Sequence, residues 1–398
     1  MGNQASSGKE SKSIERKATK VDDLHYYLTD QSKQASLFSF SPSIIQTGVY
    51  VPRTIEVGKH EYRVTTIFPS AFQASEIQSF KFAPDSELLL ITEGAFKLSK
   101  IQSISIPRTV IAIEEHAFSS CENLTSIEIP ADSALQTMDR YAFFNSAIQR
   151  IFIPAGITEI NDYLFSLCGK LTTVDFAPNS QVRIIKKKAF SDTAIEQITL
   201  PASVHTIEEQ AFESCKRLKR IDITPDSKLR AIQKNAFSLS KLESLSLPSG
   251  MTTLDDGWNC NVNSLKEINI LPIGDDNIQF LDSKILVGKS KPTNDLCDIL
   301  YYVNKDLTEL EVPYHVQTIS QHAFLSCLFL AKVEFPADTQ LTKICKGAFF
   351  GCGVKNIRIP RTVTSIEEFA FQNCSFLKCI EVPQDMDLQK VGPSLLEL

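Results

Sequence analysis

The chain has 398 residues, 43% of them hydrophobic, with ten cysteines and a formal net charge of −6. That acidic balance excludes a general basic field for nucleic acid, and ten thiols in so long a chain exclude a small disulfide scaffold. No apolar run reaches the roughly 18 residues that a membrane-spanning helix needs.

Residues 1–35 read as a polar, lipid-tethering tail, disordered over 1–20, with a short helix beginning in 21–35. Gly2 follows Met1 and Ser6 stands four residues on, which is the M-G-x-x-x-[ST] pattern of N-myristoylation. Behind it Lys9, Lys12, Arg16, Lys17 and Lys20 outnumber Glu10 and Glu15. One myristoyl chain holds a bilayer marginally. Each cation near an anionic leaflet adds about 1 kcal/mol. The competing reading is a solvated tail with a chance glycine.

Residues 36–70, which include "TGVYVPRTIEVGKHEYRVTTI", predict a β-hairpin that caps a stack. From 71 to 398 the phrase Ala-Phe recurs, at Phe72, Phe96, Phe118, Phe143, Phe190, Phe212, Phe237, Phe324, Phe349 and Phe371. Phe165 keeps the place after Leu164, and Trp258 is placed there after Gly257. Between Phe96 and Phe237 the steps alternate between 22 and 25 residues, so the unit is a pair of rungs. Periods of about 20–29 residues mark a leucine-rich repeat solenoid.

Each repeat has three parts. A strand such as "LTSIEIP" alternates apolar and polar residues and ends at Pro. A short "VxxI" segment follows, as at Val204–Ile207, and then a tight turn such as "EEHAFSSC" that predicts a short helix. The 25-residue step carries a longer turn after its strand, such as "IPADSALQTM". Residues 274–305 break the frame and read as a β-hairpin insertion. The expected fold is an α/β repeat solenoid: a right-handed leucine-rich repeat with a parallel strand stack, short helical turns and a Phe spine.

The pattern L-x-x-I-x-[IL]-P-x-x-[VI]-x-x-I-x-x-x-A-F-x-x-C, over residues 45–385, resembles the BspA-type leucine-rich repeat. The resemblance implies surface-associated binding proteins and proposed adhesins of protist type, without catalytic activity.

The remaining chemistry weighs toward packing. Cys121, Cys168, Cys215, Cys327, Cys352 and Cys374 each stand three residues after the repeat Phe, where sister rungs carry Ser99, Ser146, Thr193 or Ser240. That interchange suits a small buried residue better than a zinc ligand. Cys345 and Cys379 are expected to be exposed. The pairs Glu114-Glu115, Glu208-Glu209 and Glu367-Glu368 read as a solvated edge. His116 and His322, each five residues before a Cys, suggest a nucleophile–base couple only until Gln210 and Phe369 are found in the same place. No catalytic, cofactor or metal residue is assigned.

What is left is the outward side of thirteen strands, about 60 Å long at strand spacing. Arg150, Phe152, Asp175, Thr199, Arg220 and Asp222 are the candidate contacts on it, because an aromatic beside arginine is a frequent hot spot. The expected function is non-enzymatic binding of a protein or glycan, with Gly2 tethering the chain to the cytoplasmic face of a membrane. The alternative is a cell-surface antigen or adhesin exported by an unconventional route, in which the sequons at Asn123 and Asn373 could be used.

Overall fold

The computed structural model describes residues 17–41, 47–255, 257–383 and 390–391. Gly2, Lys9, Lys12 and Arg16 lie outside the described residues.

The first described segment is neither tail nor helix. β1 (Lys17–Val21), β2 (Leu24–Thr29) and β3 (Gln34–Phe40) form an antiparallel meander. Period-two alternation explains it: Leu24, Tyr26 and Leu28 are buried while their neighbours are half-exposed. β3 then pairs in parallel with β6 (His60–Ile67). β5 (Thr54–Val57) and β6 make the hairpin expected there, while β4 (Gly48–Val51) joins the front of the stack.

From there the chain winds as a parallel solenoid. Its front strands lie in sheets of four, two, four and four, which gives fourteen rungs among the described residues. A second ladder of two-residue strands runs alongside, each contributing one buried apolar side chain, from Ile91 and Ile113 through to Ile366. The third column is the turn. In it the amide of a repeat Phe donates to the carbonyl of the residue just before the next rung's Phe place, as Phe96 does to Ala117 at 2.8 Å and Phe143 to Leu164 at 3.1 Å. The rings stack inside: Phe96 and Phe118 lie 5.1 Å apart at 2°, and Phe118 and Phe143 5.4 Å apart at 0°.

The turns are not helical, which corrects the expectation, and no helix occurs among the described residues. The residue two before each repeat Phe and the residue two after it both have positive φ, for example His116 (57°) with Ser120 (56°) and Tyr141 (59°) with Asn145 (53°). Two left-handed residues four apart prevent an α-helix from propagating.

The frame also shifts by one at the tryptophan. Phe237 donates to the carbonyl of Trp258, so Trp258 occupies the Ala place and Asn259 the Phe place. The 22-residue step from Phe237 is thereby kept. The indole fills the core from the wrong position, edge-on to Phe237 at 6.2 Å. A second Phe-sized ring would not fit beside it, and the small Asn259 is buried there.

The insertion has three strands rather than two: Ile278–Leu281, Ile285–Gly288 and Ile299–Val303. They form an antiparallel meander whose last strand runs parallel to the second ladder at Thr318–Ile319. This repeats the topology of β1, β2, β3 and β6. Both faces are covered. Leu286 packs into the core of the first segment, while its neighbours Ile285 and Val287 pack into the second. Tyr302 Oη donates to Leu265 O at 2.7 Å, and Lys305 Nζ to Val262 O at 2.6 Å. In sister rungs the carbonyl in the place of Val262, that of Cys121 or Cys327, takes a backbone N–H from the next rung, so the Lys305 amine replaces the donor of a missing rung.

Candidate partner-binding face

The repeated "IEE…AFxxC" is structural chemistry. Cys121, Cys168, Cys215 and Cys374 donate to the carbonyl of the Phe one rung earlier, at 3.0 to 3.1 Å. Burial pushes the Cys121, Cys168 and Cys215 thiols up to about 11, which leaves them unreactive. The paired glutamates are not a bare solvated edge. Glu114, Glu208 and Glu367 each accept the N–H of a residue one rung earlier, at 2.9 to 3.2 Å. Glu115 and Glu209 pair with Arg140 and Lys187 at 3.0 and 2.9 Å. Cys345 is buried, contrary to expectation, because its place is the half-buried one that Glu114 and Glu208 hold in sister rungs. Cys379 is exposed.

The histidines are engaged separately from the cysteines that follow them. His116 stacks on Tyr141 at 4.9 Å. His322 is half-buried edge-on to Phe350, and burial lowers it to about 4. Among the described residues no three His, Cys, Asp or Glu converge on a metal-sized point.

The front strands show why the unit is a pair of rungs. Strands offset by 23 residues pair along their length, as Arg150–Ile153 does with Thr173–Phe176 and Gln197–Leu200 with Arg220–Ile223. Strands offset by 24 pair over two residues or fewer. Thr173–Phe176 and Gln197–Leu200 share no ladder at all. The extra residue in the loop after Cys, combined with the long turn, displaces one pair against the next.

A groove of about 1070 Å³ opens over that break. It is lined by the long turns that contain Pro178 and Asp226, with the short turn at Ala202 between them in chain order. Its floor carries Asp175, Thr199 and Arg220 from the predicted set. The same long–short–long order flanks a smaller groove of about 460 Å³ at Ala83, Arg108 and Asp132. Arg150, Phe152 and Asp222 lie on the same face without lining the larger groove.

Both arginines are already paired. Arg150 Nε meets Asp175 Oδ2 at 2.7 Å, and Arg220 Nε meets Asp222 Oδ1 at 2.5 Å. Exposed pairs of this kind are weak, so they can exchange for a partner's charges. Lys17 and Lys20 stand on β1 in the cap, with Lys20 3.9 Å from Asp23. Sequence reasoning missed the groove itself, although its signal, the 22/25 alternation, was in view.

The sequence matches the BspA type leucine rich repeat region in six copies, over residues 89–193, 183–279 and 298–397. The chain belongs to that family. No curated protein matches it significantly. Among solved structures, this BspA-type chain is similar to a leucine-rich repeat protein from Bacteroides ovatus, with TM-score 0.68 and 22% identity over 94% of this chain and 90% of that one. It is also similar to a leucine rich cell surface protein from Faecalibacterium prausnitzii, with TM-score 0.51 and 19% identity over 93% and 95%. At these identities the likeness concerns the fold.

Proposed function

We propose that this BspA-type protein is a non-enzymatic scaffold that holds a protein partner on its strand face. We further propose that Gly2 myristoylation, backed by Lys9, Lys12, Arg16, Lys17 and Lys20, tethers it to the cytoplasmic face of a membrane. The groove over the break between Thr173–Phe176 and Gln197–Leu200 carries the binding reading. It is a walled, polar surface with exchangeable ion pairs on a rigid core. The tether reading rests on the Gly2 motif and the basic residues behind it.

A second reading, display at the cell surface with a protein or glycan ligand, is favoured by two observations. Asn123 and Asn373 both stand exposed, and the Faecalibacterium structure is described as a cell surface protein. Fractionation of cells expressing the wild type and Gly2→Ala tests the tether. The wild type is expected with membranes and the variant in the soluble fraction; equal solubility contradicts it. Protease shaving of intact cells separates the readings, since a surface protein is cleaved. For binding, Thr199→Lys with Arg220→Glu should reduce capture of the partner at least about tenfold. Lys59→Glu, at the exposed turn of the β5–β6 hairpin, should leave capture unchanged.

A further inference from the structure

One column of the solenoid holds chemistry that neither reading uses. The place three residues after the repeat Phe runs Ser99, Cys121, Ser146, Cys168, Thr193, Cys215, Ser240 and Val262 in the first segment, so each thiol is separated from the next by a hydroxyl. In the second segment it runs Cys327, Cys352, Cys374. The separating residue is missing.

Three sister pairs measure the geometry. Across each 22-residue step the heteroatoms of this column lie side by side: Ser99 Oγ to Cys121 Sγ at 3.6 Å, Ser146 to Cys168 at 3.4 Å, and Thr193 to Cys215 at 3.4 Å. Cys352 and Cys374 are separated by the same 22-residue step. Cys374 also holds the sister position: its Sγ donates to Phe349 O at 3.0 Å, as Cys121 does to Phe96 O. The backbone N–H of Cys352 donates to the same Phe349 carbonyl at 3.0 Å, so both residues of the pair are anchored on one acceptor. Neighbouring rungs at about 4.8 Å fall inside the Cα separation of about 4.4–6.8 Å that a disulfide accepts. Rotation about χ1 then has to close only the remaining gap between the sulfurs.

We propose that Cys352 and Cys374 form a redox site, a rung-to-rung disulfide in the second segment. The oxidant is a low-molecular-weight disulfide such as oxidised glutathione. One protein thiolate attacks it, forms a mixed disulfide and releases one small thiol. The second protein thiolate attacks the mixed disulfide, which forms the Cys352–Cys374 bond and releases the second small thiol. The two cysteines are oxidised, the small disulfide is reduced to two thiols, and each cysteine gives up one proton. Both thiols are buried, and burial pushes that of Cys352 up to about 12, so in the closed stack the pair is as unreactive as its sisters and exchange takes place only during folding or local opening. Opening is favoured at this end of the stack, where Leu377 and Ile380 are only partly covered. Cys327, across a 25-residue step, is turned to Val303 O at 3.7 Å.

The test is to refold the full chain from denaturant in either oxidised glutathione or a reducing buffer. Free thiols are then alkylated and the peptides mapped by mass spectrometry. Ten thiols should be labelled after reduction, and two of the ten protected after oxidation, in one peptide pair joining Cys352 to Cys374. The urea midpoint of the oxidised wild type should exceed that of the reduced form. Cys352→Ser and Cys374→Ser should fold, because serine fills this place in sister rungs, and should lose both the link and the midpoint shift. Cys121→Ser should keep both. Full labelling after oxidative refolding, a link from Cys352 to Cys327, or glutathione carried on the exposed Cys379 alone would each overturn the assignment.

Discussion

At the residue scale, the turn is held by conformations that most side chains resist. Leu98, Leu167 and Leu239 share the place two residues after the repeat Phe, all with φ near 60° and all exposed. Gly351 stands in that place in another rung. A left-handed leucine costs about 1–2 kcal/mol, while glycine loses about 0.5–1 kcal/mol in chain entropy. Leu239→Gly is therefore expected to stabilise by about 0.5–1 kcal/mol. Ser214→Val, a β-branched residue at φ 58°, should destabilise by more than about 1 kcal/mol. Urea midpoints of the two variants, moving in opposite directions, check this. The left-handed places were not legible in the sequence because histidine, tyrosine, leucine and lysine fill them alongside glycine. Only a glycine-rich column would have announced them. The cysteines, in contrast, were legible as packing residues from their exchange with serine and threonine, and the hydrogen bond each thiol makes explains that exchange.

At the element scale, the two-rung unit was readable from the spacing, and the ladders give its cause. Strands offset by 23 residues pair fully and those offset by 24 do not. The β1–β3 meander could have been read from the alternation in "LHYYLT" and "QASLFSF", but the polar residues before it drew attention to a tail. The insertion, read as two strands, has three. Ile299–Val303 is buried almost throughout, with no alternation to mark a strand.

This meander joins two segments through Lys305, whose amine is lowered to about 8 by burial. Between about 8 and the ordinary lysine value the unfolded chain holds a proton that the folded chain lacks. Stability contributed at this site therefore rises with pH through that window and is flat below it. Lys305→Met should abolish the rise. Urea titrations of both proteins between pH 7 and 10 test it, and parallel pH profiles would show that the amine is not buried as described.

At the scale of the whole molecule, a stack of rungs interrupted once by the inserted meander presents its strand face to solvent. Arg150, Phe152, Asp175, Thr199, Arg220 and Asp222 do fall on one face, as strand alternation predicts. What strand alternation could not supply is relief. The walls of the groove come from turn lengths, and Arg150 meets Asp175 through the register of paired strands, while Arg220 meets Asp222 two residues along its own strand. Carboxyl footprinting of the full chain, free and bound to its captured partner, tests the central claim most directly. Partner binding is predicted to suppress labelling of Asp175, Asp222 and Asp226 and to leave Glu115 and Glu209 on the turn edge unchanged. Protection confined to the turn edge, with the strand face still labelled, would contradict it.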